Sequence, residues 1–116
     1  MPTIDQTLLR LSHSKFRSGF KLTKSEKAYF EAKGSEKIRE HAADFVRTRL
    51  SHANPANDGR QTPMHGHPAF KAMHATACCC RGCLEKWYKV PCGRELTESE
   101  QERIVNLLMA WIEKQI

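Results

Sequence analysis

The chain has no apolar run approaching the roughly 20 residues needed to cross a bilayer, and no alternation of apolar and polar residues long enough to make a strand. The first absence speaks against a membrane span. The second, together with the lack of internal repeats and low-complexity tracts, leaves an all-α fold as the expectation. At the start, Met1-Pro2-Thr3-Ile4-Asp5-Gln6 carries an early acid where a secretory leader would have a basic start and a long apolar segment, so cytoplasmic retention is expected. Acids are themselves missing from one stretch. None lies between Asp5 and Glu26, where Arg10, Lys15, Arg17, Lys21 and Lys24 fall. A second Cys-x-x-Cys is also lacking, which removes the strongest argument for a zinc ribbon.

What is present fits one domain. The length of 116 residues is enough to bury a modest core without disulfides, and the hydrophobic fraction of 40% and charged fraction of 28% are ordinary for globular chains. The net charge of +6 is uneven: residues 1–60 carry 12 basic and 7 acidic side chains, residues 61–116 carry 7 and 6. The basic N-terminal stretch can meet phosphates through counterion release, or act as a solvated arm. Residues 1–22 are therefore read as a partly ordered basic arm, and 23–116 as a single helical domain.

Four to five helices are expected. Thr23-Lys24-Ser25-Glu26 has the form of a capping box, with Gly34 as the stop. A helix from Ser35 carries Ile38, Ala42, Phe45, Val46 and Leu50 at helical spacing, with Glu36, Lys37, Glu40, Asp44 and Arg47 opposite. Between Ser51 and Pro68 the pattern dissolves into Pro55, Asn57-Asp58-Gly59, Pro63 and Gly66. A loop of this length in a small domain tends to be functional or disordered. Pro68 suits the first turn of a helix running through Phe70, Met73 and Ala77, interrupted at Gly82 and resuming with Leu84, Trp87 and Tyr88. A second capping box, Thr97-Glu98-Ser99-Glu100, opens the last helix, whose stripe is Ile104, Val105, Leu107, Leu108, Trp111 and Ile112. Trp87 and Trp111 both lie on apolar stripes, and each is read as a core anchor rather than a platform for a base.

The chemistry-bearing residues collect between His65 and Cys92. Four of the five cysteines, Cys78, Cys79, Cys80 and Cys83, fall within six positions, a clustering that suggests a metal, redox chemistry or a reactive thiol in a reducing compartment. Zinc takes thiolates and imidazoles in a tetrahedron, and Cys80-Arg81-Gly82-Cys83 lies just beyond His65, His67 and His74. The ligand set expected is drawn from His67, His74, Cys79, Cys80 and Cys83. If Cys79 and Cys80 are both helical their side chains diverge by about 100°, which favours Cys83 paired with one or the other. An iron-sulfur cluster on Cys79, Cys80, Cys83 and Cys92 fits less well, because the spacing matches no established pattern. Three alternatives stand beside the metal: a redox pair acidified at a helix start and by Arg81, a cysteine nucleophile with His74 or His67 as base, and thiols packed as small apolar side chains.

Arg60, Arg81 and Arg94 flank the cluster and, with Lys15 and Arg17, are the candidates for contact with a nucleic acid, another anion or an acidic partner. The competing role for the flanking arginines is surface pairing with Glu85, Glu95 and Glu98.

These residues also form a recognisable combination. His67-Pro68, His74-Ala75-Thr76-Ala77, Cys79-Cys80-Arg81-Gly82-Cys83-Leu84, Lys86-Trp87, Pro91, Gly93-Arg94 and Leu96-Thr97 resemble a bacterial family catalogued as domain of unknown function four-one-eight-six. The likeness extends to Leu11-Ser12, Ser14-Lys15-Phe16-Arg17, the loop from Asp58 to Pro63, and Trp111-Ile112, and so covers nearly the whole chain. It implies no established activity. Cys78, Tyr88 and Cys92 stand where threonine, histidine and a basic residue are usual in the family, which sets Cys78 and Cys92 apart from any shared ligand set.

Overall fold

The computed structural model describes residues 3–55 and 58–116; Met1, Pro2 and Asn57, the last expected in a turn, lie outside them. Among the described residues all the regular structure is helical and there is no strand, as the sequence led one to expect. The helices are α1 (Ile4–Ser12), α2 (Lys15–Ser18), α3 (Lys24–Lys33), α4 (Ser35–Phe45), α5 (Pro68–Ala75), α6 (Arg81–Tyr88) and α7 (Glu98–Gln115). Two more helices are present than the upper expectation, because α1 and α2 occupy the stretch read as an arm. Their caps are formed by Thr3, in a box with Gln6, and by the Ser14 side chain.

Both capping boxes read from the sequence are made. Thr23 and Glu26 cap α3, Thr97 and Glu100 cap α7, and in each pair the side chains bond the other's backbone amide. Gly34 ends α3 with φ of 85°, a conformation that side-chain-bearing residues seldom adopt. Beyond Phe45, α4 continues as a wider π turn over Val46–Leu50, in which the Ser51 amide reaches Val46 O at 2.9 Å. The stripe of Ile38, Ala42, Val46 and Leu50 nevertheless stays wholly buried.

At the centre lies α5, in which every residue is buried. It packs on α7, α4, α3 and α2, while α7 also covers α1, α4 and the π turn. Ala69, Phe70 and Met73 of α5 meet Leu84 of α6 and Ile104, Val105, Leu108 and Ile112 of α7. Each large side chain removed from water in this way stabilises the fold by about 2 kcal/mol. Trp87 and Trp111 are half-buried at the margin of the core.

One departure from expectation shapes the site. The helix beginning at Pro68 was expected to run to Gly82, but it ends at Ala75. Ala77 takes a left-handed φ of 59°, and Cys80 is fully extended. The turn is held by the Cys78 amide on Met73 O at 2.8 Å, by Thr76 Oγ1 donating to Ala72 O, and by Tyr88 Oη donating to Thr76 O. Gly82 lies inside the first turn of α6.

Arg81, only 1% exposed, holds the surrounding loops to α6. Its guanidinium donates to His52 O at 2.8 Å, Pro91 O at 2.7 Å, Arg94 O at 2.9 Å and, more weakly, Ser51 O at 3.4 Å. A planar fork with five donors can satisfy several carbonyls at once.

Candidate metal centre

Because Cys79 and Cys80 precede α6 in irregular backbone, their side chains escape the divergence a helix would impose. Cys83 follows one turn into the helix. The Sγ atoms of Cys79, Cys80 and Cys83 all lie within 4.8 Å of one another, with Cys79 and Cys80 buried and Cys83 partly exposed. Cys79 and Cys83 are closest: the Cys83 and Cys79 sulfurs share a hydrogen bond at 3.6 Å. Cys80 Sγ caps α6 by accepting the Cys83 amide at 3.3 Å.

The loop completes the wall. Asp58 accepts the Arg81 amide at 2.8 Å on Oδ1 and the Gly82 amide at 3.0 Å on Oδ2, with Gln61 Nε2 on Oδ1 at 2.9 Å. Against the effect of burial, these bonds from Gln61, Arg81 and Gly82 hold its carboxyl below the usual range. Thr62 Oγ1 donates to Cys79 O at 2.8 Å, and Thr62 O accepts His74 Nε2 at 3.0 Å. Residues 58–62 are thereby fixed to the cysteine turn.

The cation of the site comes from α2. Arg17, 9% exposed, donates from Nη1 to His74 O at 2.7 Å and to Cys79 Sγ at 3.6 Å, and from Nη2 to Cys83 Sγ at 3.2 Å. No carboxylate pairs with it among the described residues. Although burial works the other way, the two sulfurs raise its pKa, so the guanidinium is firmly charged and its natural counter-ion is a thiolate. At Cys79 the hydrogen bond with Cys83 is the largest influence; burial opposes it, and the bond and charge of Arg17 add to it, so the thiol is lowered to about 7. Cys83 is raised, chiefly by its hydrogen bond with Cys79 and then by burial. Burial raises Cys80, and pushes the wholly enclosed Cys78 up to about 12.

The two expected histidines lie outside this cluster. His67 caps α5, its Nδ1 accepting the Ala69 amide at 2.9 Å, while Nε2 is 3.0 Å from His41 Nδ1. Burial, and then the charge of His41, lower it to about 4. His74 stacks on Phe20 and uses Nε2 on Thr62 O. Among the described residues the potential ligand cluster contains the three thiols and neither imidazole. Each ring has other partners: His67 bonds the Ala69 amide and His41, and His74 bonds Thr62 O.

The expected anion-contact residues divide in the same way. Lys15 and Arg60 are exposed. Arg17 and Arg81 are turned inward, where sulfurs and carbonyls take their donors, and Arg94 forms a two-pronged pair with Glu100 at 2.7 Å. That pair holds the Glu100 carboxyl down at about 2. Cys78 is buried and Cys92 is exposed, and neither belongs to the cluster.

Arg17 and Asp58 are the site residues whose roles sequence reasoning missed. Their signal was in the family likeness, which includes Ser14-Lys15-Phe16-Arg17 and the loop from Asp58 to Pro63.

The fold and the site together define a small all-α protein in which a three-thiol cluster is closed by an arginine from a distant helix. The chain belongs to the family described as Domain of unknown function (DUF4186), whose profile matches residues 5–113. No solved structure matches it.

Proposed function

We propose that this protein binds a divalent metal ion, zinc in particular, through the sulfurs of Cys79, Cys80 and Cys83. The observation that carries the reading is the convergence of three thiols, two of which contact a buried arginine that has no carboxylate partner among the described residues. A zinc ion with tetrahedral bonds of about 2.3 Å places its sulfurs about 3.8 Å apart, close to the 3.6 Å between Cys79 and Cys83. Charge supports the same conclusion: three thiolates and one Zn²⁺ carry a net −1, which Arg17 neutralises. Among the described residues the cluster has no fourth protein ligand, so the last position falls to water or an exogenous donor, the arrangement of a reactive rather than a closed structural site.

Elemental analysis of protein purified without added metal tests this. The expectation is about one zinc per chain, since sites of this kind bind tightly. Serine at Cys79, Cys80 or Cys83 should lower the content, and serine at Cys92 should leave it unchanged. Less than about a tenth of an equivalent, with every thiol titratable, would overturn the proposal.

A second reading has its own observation, the hydrogen-bonded approach of Cys79 and Cys83. In the metal-free chain the Cys79 thiolate can attack a small disulfide such as oxidised glutathione, expelling one thiolate. Cys83 then displaces the second and closes a Cys79–Cys83 bond, so two chain thiols are oxidised as one disulfide is reduced. Peptide mass mapping after such treatment would show this bridge; a mixture of pairings involving Cys92 would count against it.

A further inference from the structure

A concavity of about 520 Å³ opens between α1, α6 and α7, apart from the thiol cluster, and its lining includes none of the three clustered sulfurs. Ile4, Leu84, Trp87, Val90, Ile104 and Leu107 form its walls, and the wholly buried Cys78 also lines it. The volume lies in the range of small-molecule pockets, which are mostly apolar with a few polar groups that fix orientation.

The polar groups here are unevenly signed. Arg10 lies over the Trp87 ring, its guanidinium carbon 4.8 Å from the centroid, and donates one hydrogen bond, at 2.7 Å, to Trp87 O. A guanidinium has five N–H donors, so most of its capacity is left over. Lys89, exposed at the left-handed end of α6, has no acceptor among the described residues. The one acid in the lining, Glu100, is held by Arg94. Apolar walls with cations at the edge match a molecule that is itself apolar with one anionic end.

We propose that this cavity binds a small amphipathic acid, a medium-chain carboxylate whose chain lies along Leu84, Ile104 and Leu107 and whose head group meets Arg10 and Lys89. A nucleotide fits less well, because its sugar and phosphates would have to face these apolar walls. A neutral hydrophobe would leave the spare donors of Arg10 and Lys89 without a role.

Decanoate and decanol, each below its aggregation limit, separate these cases. With Trp111→Phe the remaining indole, Trp87, reports directly from the cavity wall. Saturable binding of one decanoate per chain is expected, and decanol should bind at least about tenfold more weakly, the loss expected for one charge-assisted contact. Lys89→Asn, which removes the charge in a backbone conformation asparagine tolerates, and Arg10→Gln should each weaken decanoate about tenfold. Val90→Phe should obstruct the cavity and abolish binding while leaving helix content and zinc content unchanged. Should Val90→Phe unfold the chain, Leu107→Phe provides the same obstruction from α7. Equal affinity for acid and alcohol, a response that never saturates, or full binding by a folded cavity-filled variant would overturn the proposal.

Discussion

The Nη2 of Arg17 lies 3.2 Å from the sulfur of Cys83, a contact that joins α2 to α6 across 66 positions of sequence. A guanidinium is not deprotonated at any ordinary pH, so this contact makes the charge of the thiol cluster part of the packing of the N-terminal helices. Replacing Arg17 by methionine keeps much of the apolar stem and removes the charge. An adjacent opposite charge shifts a pKa by about one to three units. At the low end, Cys79 would move from about 7 to about 8, reducing thiolate at neutral pH about fivefold. Iodoacetamide labelling of the metal-free chain should slow by that factor at Cys79; an unchanged rate would mean that Arg17 does not govern this thiol.

The His67 ring has a pKa of about 4 in the fold, against its ordinary value of 6.5. Between those values the unfolded chain holds a proton on this ring and the folded chain does not. The ring's contribution is therefore complete above pH 6.5 and declines as the pH falls toward 4. His67→Asn retains an acceptor suited to the cap of α5 and removes the titration. Urea midpoints at pH 7 and pH 4.5 should differ less in the variant than in the natural chain.

Asp58 takes two amides of the first turn of α6 and a Gln61 donor. Asp58→Ala removes all three bonds and the favourable charge at the helix start. A loss of about 1–2 kcal/mol is expected by urea titration, the magnitude of a lost N-cap. A loss within experimental error would show that the loop does not stabilise the helix.

For Arg81, conservation of charge is insufficient. Lysine cannot reproduce the fork that reaches Pro91 O, His52 O and Arg94 O together, and buried carbonyls left without donors are costly. Arg81→Lys should lower stability by about 2–4 kcal/mol and broaden amide signals in residues 51–53 and 91–94. A chain as stable as the parent would show that solvent can replace the fork.

Much of the fold was legible because its signals were local. Thr23 with Glu26, Thr97 with Glu100, Gly34 and Pro68 each act over a few residues, and the α4 and α7 stripes need only a period. The pairing of a cation with its partner carries no such local mark. Arg10, Lys15 and Arg17 look alike in sequence, yet the fold leaves Lys15 in water, lays Arg10 on Trp87 and drives Arg17 onto sulfur. His67 and His74 are near the cysteines along the chain, but α5 directs one to His41 and the other to Thr62. On a continuous helix Cys79 and Cys80 would diverge, but Ala77, at φ 59°, stops the helix before it reaches them.

The described residues of the loop, 51–55 and 58–67, are fastened at several points: Asp58 to α6, Thr62 to Cys79 O, Ala53 O to the Gly93 amide. These fastenings tie residues of the loop to the same turn that presents the sulfurs. A ligand that tightens the sulfurs must also slow the opening of this loop, so the amides of Arg81 and Gly82 become protected from solvent exchange in step with occupancy. Deuterium uptake there would report the state of the thiol cluster without any probe attached to it.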